Sequence, residues 1–110
     1  MSSAIIFAVY TAKFPFLESD KGKIRPVIVV SKPYGRYNIV TVVPVSASTG
    51  KEEVDIELLE WQQAGLVGPS IVRIHRVSTL LQSELTSQVG ILSKKDQTNL
   101  QEALKKLLGL

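Results

Sequence analysis

Residues 26–45 read PVIVVSKPYGRYNIVTVVPV, and this stretch decides the fold. Its first part, PVIVVS at residues 26–31, is a short apolar run of the kind that forms a core strand. The turn residues Pro33 and Gly35 follow, and β-branched side chains return over residues 37–45. The pattern predicts two buried strands joined by a turn.

β-branched residues also place the rest of the sheet. All 22 valines and isoleucines lie before residue 92, and these residue types favour strands. Outside the opening stretch, the pattern predicts strands at residues 4–12, 54–56, 71–77 and 86–92, a loop at 14–23 and a short helix at 57–64 ended by Gly65.

The end of the chain has the pattern of one amphipathic helix. Ser93, with Asp96 three residues later, forms a capping signal. Apolar residues then recur at helical spacing between residues 100 and 108. Strands joined by short turns pair locally, so the sequence predicts a mainly β fold. We expect one domain over residues 1–110, a small and mostly antiparallel barrel with a C-terminal helix.

Length and composition exclude several classes of protein. The chain has 110 residues, of which 45% are hydrophobic and 21% are charged, values typical of a folded domain. It contains no cysteine and only one histidine, His75, which removes disulfides and thiolate metal sites. The first residues are not basic, and no apolar run approaches about 20 residues. We therefore expect a cytoplasmic protein without a signal peptide or membrane insertion.

Charge is segregated along the chain. The formal net charge is +3. Residues 1–50 contribute +4, residues 51–70 contribute −4 and residues 71–110 contribute +3. The basic balance permits a polyanionic ligand without demanding one. For Arg73 and Arg76, the alternative to a functional role is an exposed ion pair with the acidic stretch at residues 52–60.

Polar side chains collect at the ends of three predicted strands. Arginine offers paired donors to a phosphate, and histidine exchanges protons near neutral pH. Along a strand at 71–77, Arg73 and His75 would share one face about 7 Å apart. Ordinary solvated strand ends and turns are the alternative explanation. The three clusters are Lys21, Lys23 and Arg25; Ser46 and Ser48; and Arg73, His75 and Arg76.

Several short blocks recur in the order of one known family. They are FPF at 14–16, KIRPVIVVS at 23–31, VPVS at 43–46, GLVGPSIVR at 65–73, TL at 79–80 and GIL at 90–92. Together they resemble the PemK/MazF family of toxin endoribonucleases from type II toxin–antitoxin systems. The block that contains Arg25 and Pro26 is the most specific of them.

The resemblance implies an SH3-like barrel that forms a homodimer and has an antitoxin partner. It also implies cleavage of single-stranded RNA without a metal ion or other cofactor, leaving 2′,3′-cyclic phosphate and 5′-OH ends. The implied catalytic residues are Arg25, Ser46, Arg73 and His75, and the implied RNA-binding residues are Lys21, Lys23, Ser48 and Arg76. Ser46 stands where threonine is commoner, and His75 stands where one branch of the family has aspartate.

Two other functions fit a small barrel of this kind. One is a gyrase poison similar to CcdB, although such chains use a C-terminal tryptophan and Trp61 lies in mid-chain. The other is an RNA-binding or protein-binding barrel without catalytic activity.

Surplus leucines predict a contact with a second copy of the chain. The helix has more leucine than a small barrel is expected to cover, and large apolar patches are uncommon on monomers. Either part of this stripe or the pair Leu80 and Leu81 is expected to face the second copy. The stripe consists of Leu100, Leu104, Leu107 and Leu108.

Overall fold

The computed structural model describes residues 3–13, 23–47 and 50–110. Within these ranges the chain forms seven strands and one α-helix. The strands are β1 (Ala8–Lys13), β2 (Ile24–Val29), β3 (Ile39–Ala47), β4 (Ile56–Glu57), β5 (Ser70–Val72), β6 (Ser78–Leu81) and β7 (Leu85–Ile91), and the helix is α1 (Lys94–Leu108). The loop predicted at 14–23 lies outside the described residues except for Lys23.

The long strand β3 is the centre of the sheet. The pairings among the described strands are antiparallel, in the order β4-β5-β3-β2-β1-β7, with β6 also paired to β3. One edge of β3 pairs with β2, and its other edge is shared by β6 at the start and β5 at the end. The sheet is therefore a partly open barrel, which confirms the predicted fold class.

Strand β2 is buried on both of its faces. Val27, Ile28 and Val29 are fully inaccessible to solvent. Ile28 belongs to the core that includes Leu100 of α1, whereas Val27 and Val29 belong to a second core that includes Leu85 of β7. Burial on both faces explains why residues 26–31 form a continuous apolar run and do not alternate with polar residues.

Helix α1 begins and packs as its sequence pattern predicts. The Ser93 hydroxyl accepts a hydrogen bond of 3.2 Å from the backbone N–H of Asp96, which caps the first turn. Leu100 is fully buried, and Leu104 and Leu107 pack against the same core. Three leucines of the stripe are therefore covered by the barrel of the same chain, whereas Leu108 is 62% exposed. In the described ranges, no helix is long and apolar enough to cross a membrane.

The predicted helix at residues 57–64 is wrong. Glu57 ends strand β4, and residues 59–65 form turns. The carboxylate of Asp96 accepts hydrogen bonds of 2.9 Å from the backbone N–H groups of Leu59 and of Glu60. These bonds tie the segment to the first turn of α1, where tertiary contacts override its local helix propensity.

Two glycines let this turn lie directly against β7. Gly65 has a positive φ of +83°, and a Cβ there would overlap the backbone carbonyl of Val89. A Cβ on Gly90 would overlap the backbone of Ala64 in return. The close contact between the two backbones holds the end of the turn against β7, and residues 66–69 follow directly from this point.

Candidate active site

An open cleft of about 620 Å³ lies where β2, β3 and β5 reach one end of the barrel. Of the eight predicted site residues, Arg25, Ser46, Arg73, His75 and Arg76 line this cleft. Lys23 is exposed immediately before β2 and is not among the lining residues, whereas Lys21 and Ser48 lie outside the described residues. Three separate stretches of sequence thus converge on one cavity.

A buried carboxylate that we did not predict joins two of these residues. The side chain of Asp55 has no solvent exposure. Its Oδ2 atom accepts a bond of 3.0 Å from Nη1 of Arg73, and its Oδ1 atom lies 3.1 Å from Nδ1 of His75. The backbone N–H groups of Glu52 and Ile74 each donate to the same carboxylate over 3.1 Å. Asp55 therefore has four hydrogen-bond partners, and it links Arg73 to His75.

The expected strand at residues 71–77 stops early, and this brings His75 to Asp55. Strand β5 ends at Val72, and Ile74–Arg76 form a 3₁₀ turn. The N–H of Ile74 donates to Asp55 rather than to a neighbouring strand, so the extended backbone does not continue. Arg73 and His75 do converge, but through this turn and a shared carboxylate rather than through strand alternation.

The pairing of β4 with β5 brings Asp55 to the site. Ile56 of β4 pairs with Val72 of β5, so the residue before β4 comes to lie beside the residue after β5. The pairing of an acidic segment with the later basic segment is the contact expected for Arg73. The ion pair between Arg73 and Asp55 is buried, however, and the expectation was of an exposed pair.

Arg73 connects the carboxylate to the hydroxyl of Ser46. Its Nε atom donates to Oγ of Ser46 over 2.8 Å, and its Nη1 atom also donates to the backbone carbonyl of Gly50 over 2.6 Å. Only 12% of the Arg73 side chain is exposed. The guanidinium is therefore fixed in place, and it holds the Ser46 hydroxyl at the cleft wall.

Asp55 is ionised at neutral pH despite its burial. Burial alone would raise the pKa of this carboxyl. The hydrogen bonds from Arg73, from the N–H of Glu52 and from His75, with the charge of a protonated His75, outweigh burial and hold the pKa below its ordinary value. An ionised carboxylate only accepts hydrogen bonds, so Asp55 is an acceptor for each of its partners.

The lowered pKa of Asp55 predicts acid sensitivity of the fold. A carboxyl whose pKa is lower in the folded chain stabilises it above about pH 4 and loses this effect as pH falls through the folded value. We expect Asp55→Asn to lower the free energy of unfolding at pH 7 by about 3 kcal/mol, because Arg73 loses its buried partner. The variant should also show a weaker loss of stability as the pH falls below about 4.

Denaturant unfolding at a series of pH values measures this effect. Glu57→Gln is the matched control, since Glu57 is exposed on neighbouring β4 and the change removes the same charge. The control should keep the wild-type dependence on pH. Parallel curves for the wild type and Asp55→Asn below pH 4 would contradict the prediction.

Part of the lining of the cleft is apolar. Leu66, Val67 and Pro69 line the cleft beside Gly68, and Val67 is fully exposed. A cleft lined by both cations and apolar groups suits a flexible ligand that carries both phosphates and flat rings. No group of three or more metal-ligating side chains occurs within residues 3–13, 23–47 and 50–110.

Solved structures with the same architecture define the class of fold. The Mycobacterium tuberculosis toxin MazF-mt6 matches with a TM-score of 0.73 and 23% identity, over 94% of this chain and 97% of that chain. An endoribonuclease from a mycobacterial species matches with a TM-score of 0.75 and 19% identity, over 100% and 95%. MazE-MazF from Deinococcus radiodurans matches with a TM-score of 0.74 and 17% identity, over 100% and 99%. At these identities the likeness establishes the fold of a MazF toxin.

The sequence itself establishes the family. Residues 6–108 match the model of the PemK-like, MazF-like toxins of type II toxin–antitoxin systems. The chain belongs to this family, as the motifs suggested. A comparison with curated proteins finds no match.

Asp55 is the site residue that the sequence analysis missed. It lies in a run of acidic residues whose other members, Glu52, Glu53, Glu57 and Glu60, are exposed. One signal could have identified it, since it is the only aspartate in the run and has a β-branched residue on each side. Such flanks indicate a position close to the core.

Proposed function

We propose that this chain is a toxin endoribonuclease that cuts single-stranded RNA without a metal ion. The observation that supports this proposal is the cleft in which Arg25, Ser46 and Arg73 lie with the His75–Asp55 pair. Family membership supports the same function. The cleft offers cations for a phosphate and a ring nitrogen for proton transfer, the two requirements of RNA cleavage by this route.

The chemistry is an internal transfer at one phosphate. Nε2 of His75 takes the proton of a 2′-OH as the 2′-oxygen forms a bond to phosphorus. The bond from phosphorus to the 5′-oxygen breaks, and the 5′-oxygen takes a proton from solvent. Arg25 stabilises the charge that develops on the phosphate oxygens, and Arg73 orients the Ser46 hydroxyl beside them. The products are a 2′,3′-cyclic phosphate and a 5′-OH end.

Incubation of the purified chain with single-stranded RNA in EDTA tests the proposal. Cleavage with cyclic phosphate ends is the expected result. Binding without cleavage would instead identify an inactive RNA-binding barrel. Gyrase-dependent breaks in DNA, without cleavage of RNA, would identify a gyrase poison.

We also propose an antitoxin as the partner that silences the cleft in the cytoplasm. The family consists of toxins from two-component systems, and two of the similar structures are an endoribonuclease with its cognate antitoxin and MazE-MazF. An acidic segment with apolar side chains would complement both the cationic and the apolar residues that line this cleft. Such a segment would exclude RNA by occupying its place.

A homodimer is the expected state of the toxin, and one face of the sheet suits its interface. Ile39 of β3 pairs with Leu81 of β6 on one side and bridges to Tyr34 on the other, so these side chains share one face. They are 41%, 41% and 66% exposed in the same order. We call these three residues the outer apolar patch, and we place the second copy there, since unpaired apolar patches mark interfaces.

Leu81→Glu is expected to convert the dimer to a monomer. The change places a charge in the outer apolar patch, which a dry interface cannot hold without a large cost. Sedimentation at micromolar concentration measures the state. Leu108→Glu, on the exposed end of the helix, is the control and should remain dimeric. A dimeric Leu81→Glu together with a monomeric Leu108→Glu would place the interface on α1 instead. A wild type that is monomeric at this concentration and fully active would show that the active site does not require a dimer.

A further inference from the structure

We propose that Asp55 is a positioning residue of the active site, which holds the His75 ring in the Nδ1–H form so that Nε2 is the proton acceptor. This inference rests on the proposed ribonuclease function and assigns the residue that prepares its base. Asp55 touches no ligand in this role, because its side chain is wholly buried behind Arg73 and His75.

The geometry leaves Asp55 no other orientation. Its Oδ1 atom lies 3.1 Å from both the N–H of Ile74 and Nδ1 of His75, and its Oδ2 atom lies 3.0 Å from Nη1 of Arg73 and 3.1 Å from the N–H of Glu52. Three of these partners are fixed donors. Because the carboxylate can only accept from them, it also draws the proton of the imidazole to Nδ1.

The same geometry predicts what an amide would do in place of the carboxylate. In Asp55→Asn, the NH₂ group must face either Arg73 and Glu52, which are both donors, or Ile74 and His75. Only the imidazole can change from donor to acceptor. The amide should therefore turn its NH₂ toward His75 and move the ring proton to Nε2, which removes the base from the cleft.

Charged groups around the pair define the pH behaviour of the site. Arg73, the residue directly after β5, faces Asp55. Three other charged residues line the same cleft as His75: Arg25 on β2, Arg76 on the 3₁₀ turn and Glu52 before β4. Substitution of Asp55 removes none of these four groups, although Arg73 loses its carboxylate partner. A change in the pH profile of the Asp55 variant can therefore be assigned to the aspartate and the ring that it contacts.

Nitrogen-15 NMR of the untagged protein measures which ring nitrogen of His75 carries the proton. His75 is the single histidine of the chain, so all imidazole signals belong to it. We expect the wild type to carry its neutral-ring proton on Nδ1, and Asp55→Asn to carry it on Nε2. The cleavage rate of Asp55→Asn should fall by about 10²-fold or more in kcat, with little change in KM, because proton transfer is impaired and RNA binding is not.

Asp96→Asn is the matched control. Asp96 is also a fully buried aspartate that accepts two backbone hydrogen bonds, but its partners are Leu59 and Glu60, away from the cleft. This variant loses a similar structural carboxylate and should keep the wild-type ring proton, pH profile and kcat. Loss of kcat in both variants to the same extent would show a general effect of destabilisation and overturn the inference.

The outcomes separate this inference from the proposed function. A wild-type ring with its proton on Nε2 overturns the inference, and this measurement does not depend on whether Asp55→Asn folds. A folded Asp55→Asn that keeps the wild-type kcat and pH profile also overturns it, while the ribonuclease function stands. A wild type that does not cut RNA overturns the proposed function, and the NMR result still decides whether Asp55 sets the ring proton.

Discussion

Arg25→Ala is expected to cut single-stranded RNA about 10²-fold or more slowly than the wild type. Arg25 lies at the start of β2 and lines the cleft that holds Ser46, Arg73 and His75. Cleavage places extra negative charge on the phosphate oxygens, and a fixed guanidinium donor stabilises that charge most in the transition state. Removal of one such donor costs on the order of 10²–10³ in rate.

Two further variants isolate the role of Arg25. Arg36→Ala removes an exposed arginine from the hairpin between β2 and β3 and should leave the rate unchanged. Arg25→Lys keeps the charge but loses the planar pair of donors, so it should recover only part of the rate. Circular dichroism checks that each variant is folded. An Arg25→Ala enzyme as fast as the wild type would reduce Arg25 to an ordinary surface charge.

His75→Ala is expected to lose most of the cleavage rate and the acid limb of its pH profile. A base must be unprotonated to accept the 2′-OH proton, so the wild-type rate should fall as pH is lowered and the ring becomes protonated. Without the imidazole this dependence disappears. General base catalysis contributes about 10²–10⁴-fold, which sets the size of the expected loss.

Added imidazole provides the control for this prediction. The His75 side chain is 36% exposed and lines the open cleft, so a small base can reach the vacated position. Partial recovery of the His75→Ala rate by imidazole in solution would identify the missing group as a base. An unchanged rate and pH profile in His75→Ala would return the proton transfers to Ser46, Arg25 or water.

Local sequence patterns predicted those elements in which the hydrophobicity of consecutive residues indicates which of them are buried. The apolar run at residues 26–31 predicted β2, and the Ser93 signal with its leucine spacing predicted α1. Strand β6 was missed, because it has only four residues and these are mostly exposed, which leaves no regular alternation to recognise. The helix predicted at residues 57–64 does not form, because the backbone N–H groups of Leu59 and Glu60 donate to Asp96. That residue lies far along the chain, so a local pattern does not contain this contact.

The sequence by itself determined the family, the mainly β fold and the candidate residues Arg25, Ser46, Arg73 and His75, since each lies in or beside a local motif. Only the tertiary structure decided that a buried aspartate joins two of them. The contact of Asp55 with Arg73 and His75 depends on the pairing of β4 with β5 and on the early end of β5. Sequence periodicity does not encode such a contact, because it arises from hydrogen bonds between segments about 20 residues apart.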